Sequence, residues 1–397
     1  MAELNGKRLV LGITGGIAAY KAAELARLFV KDGAEVNAVL TQSGAQFVTP
    51  ATFQALTGKP AWSDLWDARM PDNMAHIDLS RGADAIVIAP ASADFLAKLA
   101  HGLAGDLLST LCLARDCPLI VAPAMNRQMW EHPATQRNKS QLLQDGVIIL
   151  GPASGEQACG ETGMGRMLEA AEILEAVAGF FQPKVLAGRR ILMTAGPTFE
   201  ALDAVRGVTN LSSGKMGFAL ARAARDAGAE VTLVSGPVAQ PTPAGVTRID
   251  VTSALEMHAA VMQRVADCDI FIGVAAVADY RPAELLRDKI KKSDKPMQIG
   301  MIPNPDILAE VATRPGAPFC IGFAAESRDL EKYAEEKRQK KQLSLVVGNL
   351  VQDGLGGERN LVTLFDDKGR KSLGPAQKID IARGIVAHIG QMLAGNG

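Results

Sequence analysis

At 397 residues the chain exceeds what one ordinary hydrophobic core organises, so two or three domains are expected. Hydrophobic residues make up 48% and charged residues 21%, a globular balance that excludes a disordered chain. The net charge of −1 argues against a dedicated nucleic-acid binder, which needs a broad basic face.

Residues 8–40 read as a buried strand, a glycine turn (G-I-T-G-G), an amphipathic helix, a stop at Asp32-Gly33 and a second strand, which is a βαβ unit. Further strands are expected at 85–89, 119–122 and 147–150, separated by helical stretches. The plan restarts at Arg190 with R-I-L-M-T-A-G-P-T, and A-G-A-E-V at 227–231 echoes D-G-A-E-V at 32–36. Strands at 269–274, 319–323 and 343–347 complete the second half. The fold class is therefore α/β: two doubly wound, Rossmann-like domains with mostly parallel sheets, 1–188 and 189–397, with 182–188 as linker. The start M-A-E-L-N-G-K-R-L-V has no apolar core of a secretory signal, and no apolar run reaches the length of a membrane span. Five cysteines, odd in number and without a C-x-x-C pair, read as free thiols of a reducing cytoplasm.

In open parallel sheets ligands bind at the carboxyl ends of the strands, so the polar residues there are the candidates. Gly12, Gly15 and Gly16 with Thr14 suit a mononucleotide phosphate, since G-x-G-x-x-G is absent. Ser43 and Ser92 follow the second and third strands, and His76 falls just before the third. The run V-A-P-A-M-N-R-Q-M-W (121–130) ends a strand and delivers Asn126 where a helix can begin; alone, it is a proline turn with an Asn cap. Cys159 lies in A-C-G-E-T-G-M-G-R-M, read as a mobile glycine-rich loop whose thiol can act as acid or nucleophile. In the second half S-S-G-K-M-G (212–217) is not a P-loop, because Asn210 stands where the first glycine would be and Met216 follows Lys215. Two basic runs follow, at 289–292 and 335–342, and Lys337 and Lys341 share a helix face at i, i+4 spacing. Such a run is a solvated face or a clamp on a triphosphate.

Taken together, G-I-T-G-G-I-A-A-Y-K, His76, A-P-A-S-A, P-A-M-N-R-Q-M-W and A-C-G-E-T-G-M-G-R-M resemble the flavin-dependent cysteine decarboxylases, phosphopantothenoylcysteine decarboxylases above all. The resemblance implies a flavodoxin-like domain that holds FMN at Gly12, Thr14, Gly15, Gly16, Ser43 and Ser92. It implies oxidative decarboxylation assisted by His76, with Asn126 on the substrate carboxylate and Cys159 as proton donor in the closing reduction. The second half resembles the phosphopantothenate–cysteine ligases through A-G-P-T, N-L-S-S-G-K-M-G, A-A-V-A-D-Y-R with K-I-K-K, N-P-D-I, G-F-A-A-E and the K-x-x-x-K helix. That resemblance implies CTP with Mg2+ and the substrates 4′-phosphopantothenate and cysteine. It places CTP against Gly273, Val274, Ala275, Asp279, Lys289, Pro305, Asp306, Ile307, Leu308, Phe323, Lys337 and Lys341. Asn210 would bind an acyl-cytidylate, with Arg206 nearby and Lys289 serving cysteine addition; the metal ligands stay unassigned. Bacterial bifunctional members of the family imply a homo-oligomer, a dodecamer of trimeric flavin domains with dimeric ligase domains, and neither nucleic acid nor membrane as partner. A flavoprotein electron carrier and a nucleotide-sensing scaffold are the rival readings, and the complete set His76, Asn126, Cys159, Asn210 and Lys289 weighs against both.

Overall fold

Each half opens with a strand buried along almost its whole length, R-L-V-L-G-I and R-I-L-M-T-A, and a helix with a regular apolar stripe comes next. Such a strand needs cover on both faces, and the helix that follows is its nearest cover. The structure, a computed structural model, describes residues 2–67, 74–157, 160–286, 288–291, 297–354 and 356–395. It divides into two units, Ala2–Phe181 and Gln182–Gly397.

The first unit runs β1 (Arg8–Ile13), α1 (Ala19–Lys31), β2 (Glu35–Leu40), α2 (Pro50–Thr57), α3 (Ala75–Ser80), β3 (Ala85–Ala91), α4 (Ala93–His101) and α5 (Leu107–Ala114). It continues through β4 (Leu119–Pro123), α6 (Arg127–Glu131), α7 (Pro133–Gln144), β5 (Ile148–Ile149), β6 (Ala153–Glu156), β7 (Thr162–Arg166) and α8 (Ala170–Phe180). The main sheet has the order β2-β1-β3-β4-β5 and is parallel throughout. This is the flavodoxin-like order, whose direction of winding reverses between β1 and β3. Period-two alternation sends Leu9, Leu11 and Ile13 into one core with α1 and α8, and Val10, Ile86 and Ile88 into the other with α4 and α5. Phe29, fully buried near the end of the α1 stripe, contributes about 1.5–3 kcal/mol by leaving water.

The second unit contains β8 (Arg190–Ala195), β9 (Phe199–Ala201), β10 (Gly207–Thr209), α9 (Lys215–Asp226), β11 (Glu230–Ser235), β12 (Thr247–Asp250), α10 (Ala254–Met262), β13 (Ile270–Gly273), β14 (Tyr280–Pro282) and β15 (Met301–Pro303). After these come α11 (Ile307–Thr313), β16 (Phe319–Glu326), α12 (Leu330–Lys340), β17 (Leu345–Leu350), α13 (Val351–Gly354), β18 (Arg359–Asp366), β19 (Gly369–Gln377) and α14 (Lys378–Gly395). The sheet order is β12-β11-β8-β13-β16-β17-β18-β19. Its first six strands are parallel in the Rossmann order 3-2-1-4-5-6, which reverses between β8 and β13. The last two form an antiparallel hairpin on the edge.

Two local expectations change. The 182–188 stretch is docked on the second unit: Leu186 is buried in that core, its amide donates to Ala227 O, and Lys184 Nζ donates to Asp226 O at 2.7 Å. The glycine-rich stretch around Cys159 is framed by a hairpin, β6 with β7, in which Gly155 faces Gly163. Cys159 itself lies outside the described residues.

Candidate functional site

In the first unit the carboxyl ends of β1 and β3 are joined by one side chain. Thr14 Oγ1 donates to Pro90 O at 2.7 Å and accepts from the Ser92 amide at 2.9 Å, and Thr14 is only 1% exposed. Its hydroxyl thus closes the switch point from beneath. Gly12 sits earlier still, inside β1, where a Cβ would come within 2.5 Å of Ile88 Cδ1. It serves core packing, and the turn that can face a ligand begins at Gly15 and Gly16. A Cβ on Gly15 would meet Ser43 Cβ at 2.5 Å, so the turns after β1 and β2 are in contact. Ala18, at the cap position of α1, makes no side-chain cap; the Ala19 amide donates to Gly16 O and the Lys21 amide to Ala18 O, both at 3.0 Å. Ser92 Oγ caps α4 by accepting from the Phe95 amide at 3.2 Å, and its own O–H remains able to donate. His76 stands in α3 with Nδ1 buried and without a hydrogen-bond partner among the described residues.

Asn126 is the N-cap of α6: its Oδ1 accepts from the Met129 amide at 2.9 Å, and its Nδ2 donates to Gln128 Oε1 at 2.6 Å. The β6–β7 hairpin lies on this turn. Met125 N donates to Gly165 O at 3.0 Å, the Arg127 amide donates to Gln157 Oε1 at 3.0 Å, and Gln128 Nε2 donates to Glu161 Oε1 at 2.9 Å. Gly165 has φ +139°, and a Cβ there would stand 2.3 Å from Met125 O, so only glycine permits this approach. The segment expected as a mobile loop is thus framed by hairpin strands on either side of Cys159, with Gln157 N donating to Glu161 O at 2.8 Å. Its exit is fixed by Lys21, buried, whose Nζ reaches Glu169 Oε1 at 2.8 Å; that hydrogen bond is the main cause holding the Glu169 carboxyl below its usual value. Burial pushes the Cys112 and Cys320 thiols up to about 12 and Cys268 up to about 11, which leaves them inert near neutrality.

The second unit has a cleft of about 480 Å³ at the carboxyl ends of β13 and β16. Gly273, Val274, Ala275 and Asp279 line it on one side, Pro305, Asp306, Ile307 and Leu308 on another, with Phe323, Lys337 and Lys341 closing it. The i, i+4 lysines of α12 therefore face this cleft. Lys337 Nζ donates to Phe323 O at 2.5 Å; burial, then the neighbouring Lys341, pushes its ammonium below the ordinary lysine value, against the pull of Asp306, Glu326 and Asp279. Lys341 Nζ lies 2.6 Å from Asp306 Oδ2. Burial works to raise the Asp306 carboxyl, but Lys341 and the Ala309 amide together carry it below its usual value. Lys215, the would-be P-loop lysine, pairs with Glu358 instead.

Asn210, Arg206 and Lys289 are outside that lining, and Asn210 reaches its wall. Asn210 Nδ2 donates to Ala276 O at 3.0 Å and Val277 O at 3.2 Å, two residues of the cleft wall. Arg206 is organised by Asp203, a buried carboxylate that sequence reasoning passed over. Asp203 Oδ1 accepts from the amides of Val205 and Arg206, both at 2.8 Å, and Oδ2 accepts from Arg206 Nε at 3.0 Å, Arg206 Nη2 at 2.7 Å and Ile290 N at 3.0 Å. Arg206 Nη2 also donates to Ile290 O at 2.5 Å. Lys289, exposed, precedes Ile290, whose backbone Asp203 and Arg206 hold. The available signal was D-x-x-R in a turn, the spacing at which an Asp both caps the turn and pairs with the Arg. Gln128 and Glu161 were missed too, and no local pattern marks them.

Among the described residues no group of three or more His, Cys, Asp and Glu could hold a metal ion. No helix among them is long and apolar enough to cross a membrane.

Two family models match the chain, one in each half. Residues 1–182 match the family described as Flavoprotein, and residues 186–393 match the DNA/pantothenate metabolism flavoprotein C-terminal domain. The chain is 50% identical over 395 residues to the coenzyme A biosynthesis bifunctional protein CoaBC of Vibrio cholerae serotype O1, covering 98% of this chain and 99% of that one. Among solved structures, the C-terminal domain of a coenzyme A biosynthesis bifunctional protein CoaBC is 39% identical over 53% of this chain and 99% of its own, with a TM-score of 0.47. A PPC decarboxylase mutant complexed with pantothenoylaminoethenethiol is 35% identical over 43% of this chain and 96% of its own, with a TM-score of 0.40. Likeness in sequence along both halves, over nearly the full length of a curated relative, means that the chain belongs to the family of coenzyme A biosynthesis bifunctional proteins CoaBC.

Proposed function

We propose that the second unit joins 4′-phosphopantothenate to cysteine with CTP, through an acyl-cytidylate, and that the first unit decarboxylates the product to 4′-phosphopantetheine. The observation that carries this reading is the cleft at the end of β13, where a glycine-led strand end, Asp279 and two lysines meet in a volume suited to a nucleotide. Lys337 and Lys341 neutralise triphosphate oxygens and the charge that develops on pyrophosphate as it leaves. The substrate carboxylate attacks the α-phosphorus, and the resulting mixed anhydride lies along Asn210 and Arg206. The cysteine amine then attacks its carbonyl carbon near Lys289, and CMP departs with the bonding pair. Mg2+ would enter with the triphosphate, as it commonly does with nucleotide substrates.

In the first unit the Gly15-Gly16 turn, the uncapped start of α1, the exposed Ser43 and the Ser92 hydroxyl fit FMN at the switch point of the sheet. Bound there, FMN supplies reversible two-electron oxidation of the substrate carbon that bears sulfur. The second amide hydrogen of Asn126 holds the substrate carboxylate without adding a charge that would oppose the loss of CO2. His76 handles a proton during that loss, and Cys159 returns one to the carbon at the end. Large exposed apolar groups beside the turn, Ile17, Tyr20 and Phe47, support self-association of the flavin domain; the dodecamer of trimeric flavin domains with dimeric ligase domains rests on the family resemblance alone.

Purified protein is expected to be yellow and, given 4′-phosphopantothenate, cysteine, CTP and Mg2+, to release pyrophosphate and then CO2. Pyrophosphate without CO2 would leave only the ligase reading, and a colourless protein unable to take up FMN would remove the first-unit reading. A second expectation concerns pH. Because burial lowers the pKa of Lys337, its charge is lost at a lower pH than that of an ordinary lysine. CTP affinity should therefore decline on the alkaline side before ordinary lysines titrate, and Lys337→Arg, which stays charged, should flatten the decline in a calorimetric titration.

A further inference from the structure

We infer that Gln128 and Glu161 are positioning residues for decarboxylation, setting which way the Asn126 amide points. The inference rests on the reading of Asn126 given above. Three hydrogen bonds run in series: Met129 N to Asn126 Oδ1 at 2.9 Å, Asn126 Nδ2 to Gln128 Oε1 at 2.6 Å, and Gln128 Nε2 to Glu161 Oε1 at 2.9 Å. The two ends each work in one direction only. A backbone N–H can only donate, and the Glu161 Oε1 bonded here can only accept. Each amide between them has one donor side and one acceptor side. Turning either amide over would set two donors or two acceptors face to face, so only one polarity satisfies the series.

That polarity has a consequence for the ligand. Oδ1 of Asn126 is committed to α6, and of its two Nδ2 hydrogens one is spent on Gln128. What remains to be offered is an N–H, the group a carboxylate needs. Glu161 is also more than a surface acceptor, since its Oε2 is buried without a hydrogen-bond partner among the described residues. Its other oxygen, Oε1, takes the bond from Gln128.

The test uses the full-length flavin-loaded chain supplied with 4′-phosphopantothenoylcysteine, with CO2 release followed against pH, and a parallel reaction with 4′-phosphopantothenate, cysteine, CTP and Mg2+ in which pyrophosphate release is the control. Gln128→Leu breaks the series and is expected to lower kcat for CO2 release about 10- to 100-fold, with pyrophosphate release unchanged. Gln128→Glu still accepts from Asn126 but sets two carboxylates face to face. As the pH falls they come to share a proton, the series is restored, and CO2 release should recover relative to wild type. A purely structural tie between hairpin and helix predicts equal losses in both variants and no recovery on acidification. Wild-type kcat in Gln128→Leu, or a Gln128→Glu profile parallel to wild type, would overturn the inference. Should Gln128→Leu lose its flavin and report only on folding, the Gln128→Glu profile decides alone. If Asn126→Asp releases CO2 at the wild-type rate, the Asn126 reading itself has failed; if Asn126→Asp is inactive while Gln128→Leu is fully active, only the positioning role falls.

Discussion

Asn126→Asp is expected to give a folded, flavin-binding, ligase-competent protein whose CO2 release falls about 100- to 1,000-fold. Folding survives because Asp caps a helix as well as Asn does, and a negative charge at the start of α6 is favoured by the helix dipole. Its Oδ1 can keep the bond from the Met129 amide that Asn126 makes now. The loss has two sources. A carboxylate replaces the N–H offered to the substrate carboxylate, and like charges brought together cost several kcal/mol. The hydrogen-bond series is also frustrated, since the new oxygen faces Gln128 Oε1, which now accepts from Nδ2. A melting curve and a CO2 assay on one preparation separate the two effects of the side chain. An unchanged melting temperature with abolished CO2 release is the expected pair, and wild-type CO2 release would remove Asn126 from the chemistry.

The second large effect is expected at Asp203 in the ligase half. Its two oxygens accept from Val205 N, Arg206 N, Arg206 Nε, Arg206 Nη2 and Ile290 N. The Ile290 amide is the leading cause that holds this carboxyl far below the usual carboxylate range. Asn in its place keeps one acceptor oxygen and turns an NH2 toward groups that only donate. Arg206 and the Ile290 backbone would both be released, and Lys289 is the residue next to Ile290. Asp203→Asn should therefore slow amide formation with cysteine about 100-fold, while CO2 release from supplied 4′-phosphopantothenoylcysteine stays as in wild type. Amide formation at the wild-type rate would show that Lys289 needs no such anchor. The sign of the pH dependence follows from the depressed pKa. The tie is at full strength above the ~3.9 of a free Asp, and fades only as the pH falls from there toward the lower folded value.

What could be read from the sequence divides along a physical line. The parallel strands were legible because strands buried on both faces are continuous apolar runs. The carboxyl-end clusters were legible because parallel sheets gather ligand groups there. The cleft residues 273–275 and 305–308 and the Lys337/Lys341 pair lie together for that reason. Local spacing misleads where packing decides the role: Gly12 looks like part of a phosphate turn but lies under Ile88 in β1, and Thr14 closes two strand ends instead of standing open. The antiparallel β18–β19 hairpin left a trace in D-D-K-G between two strand-like runs, a turn signal that the alternating-unit plan overrode. The contacts Gln128–Glu161 and Asp203–Ile290 left no trace at all. They join residues 33 and 87 positions apart, a separation that no window of local periodicity spans.

The placement of the β6–β7 hairpin also gives the flavoprotein half an order of maturation. All five strands of its sheet precede the hairpin in the chain, and α8, which covers one face together with α1, follows it. During synthesis from the amino terminus, the sheet can pair before the groups that orient Asn126 have been made. The segment that completes the site is then drawn onto α6 as α8 closes the core. A subunit made only as far as β5 thus lacks Gln157 and Glu161, the hairpin groups that bond to the Arg127 amide and to Gln128.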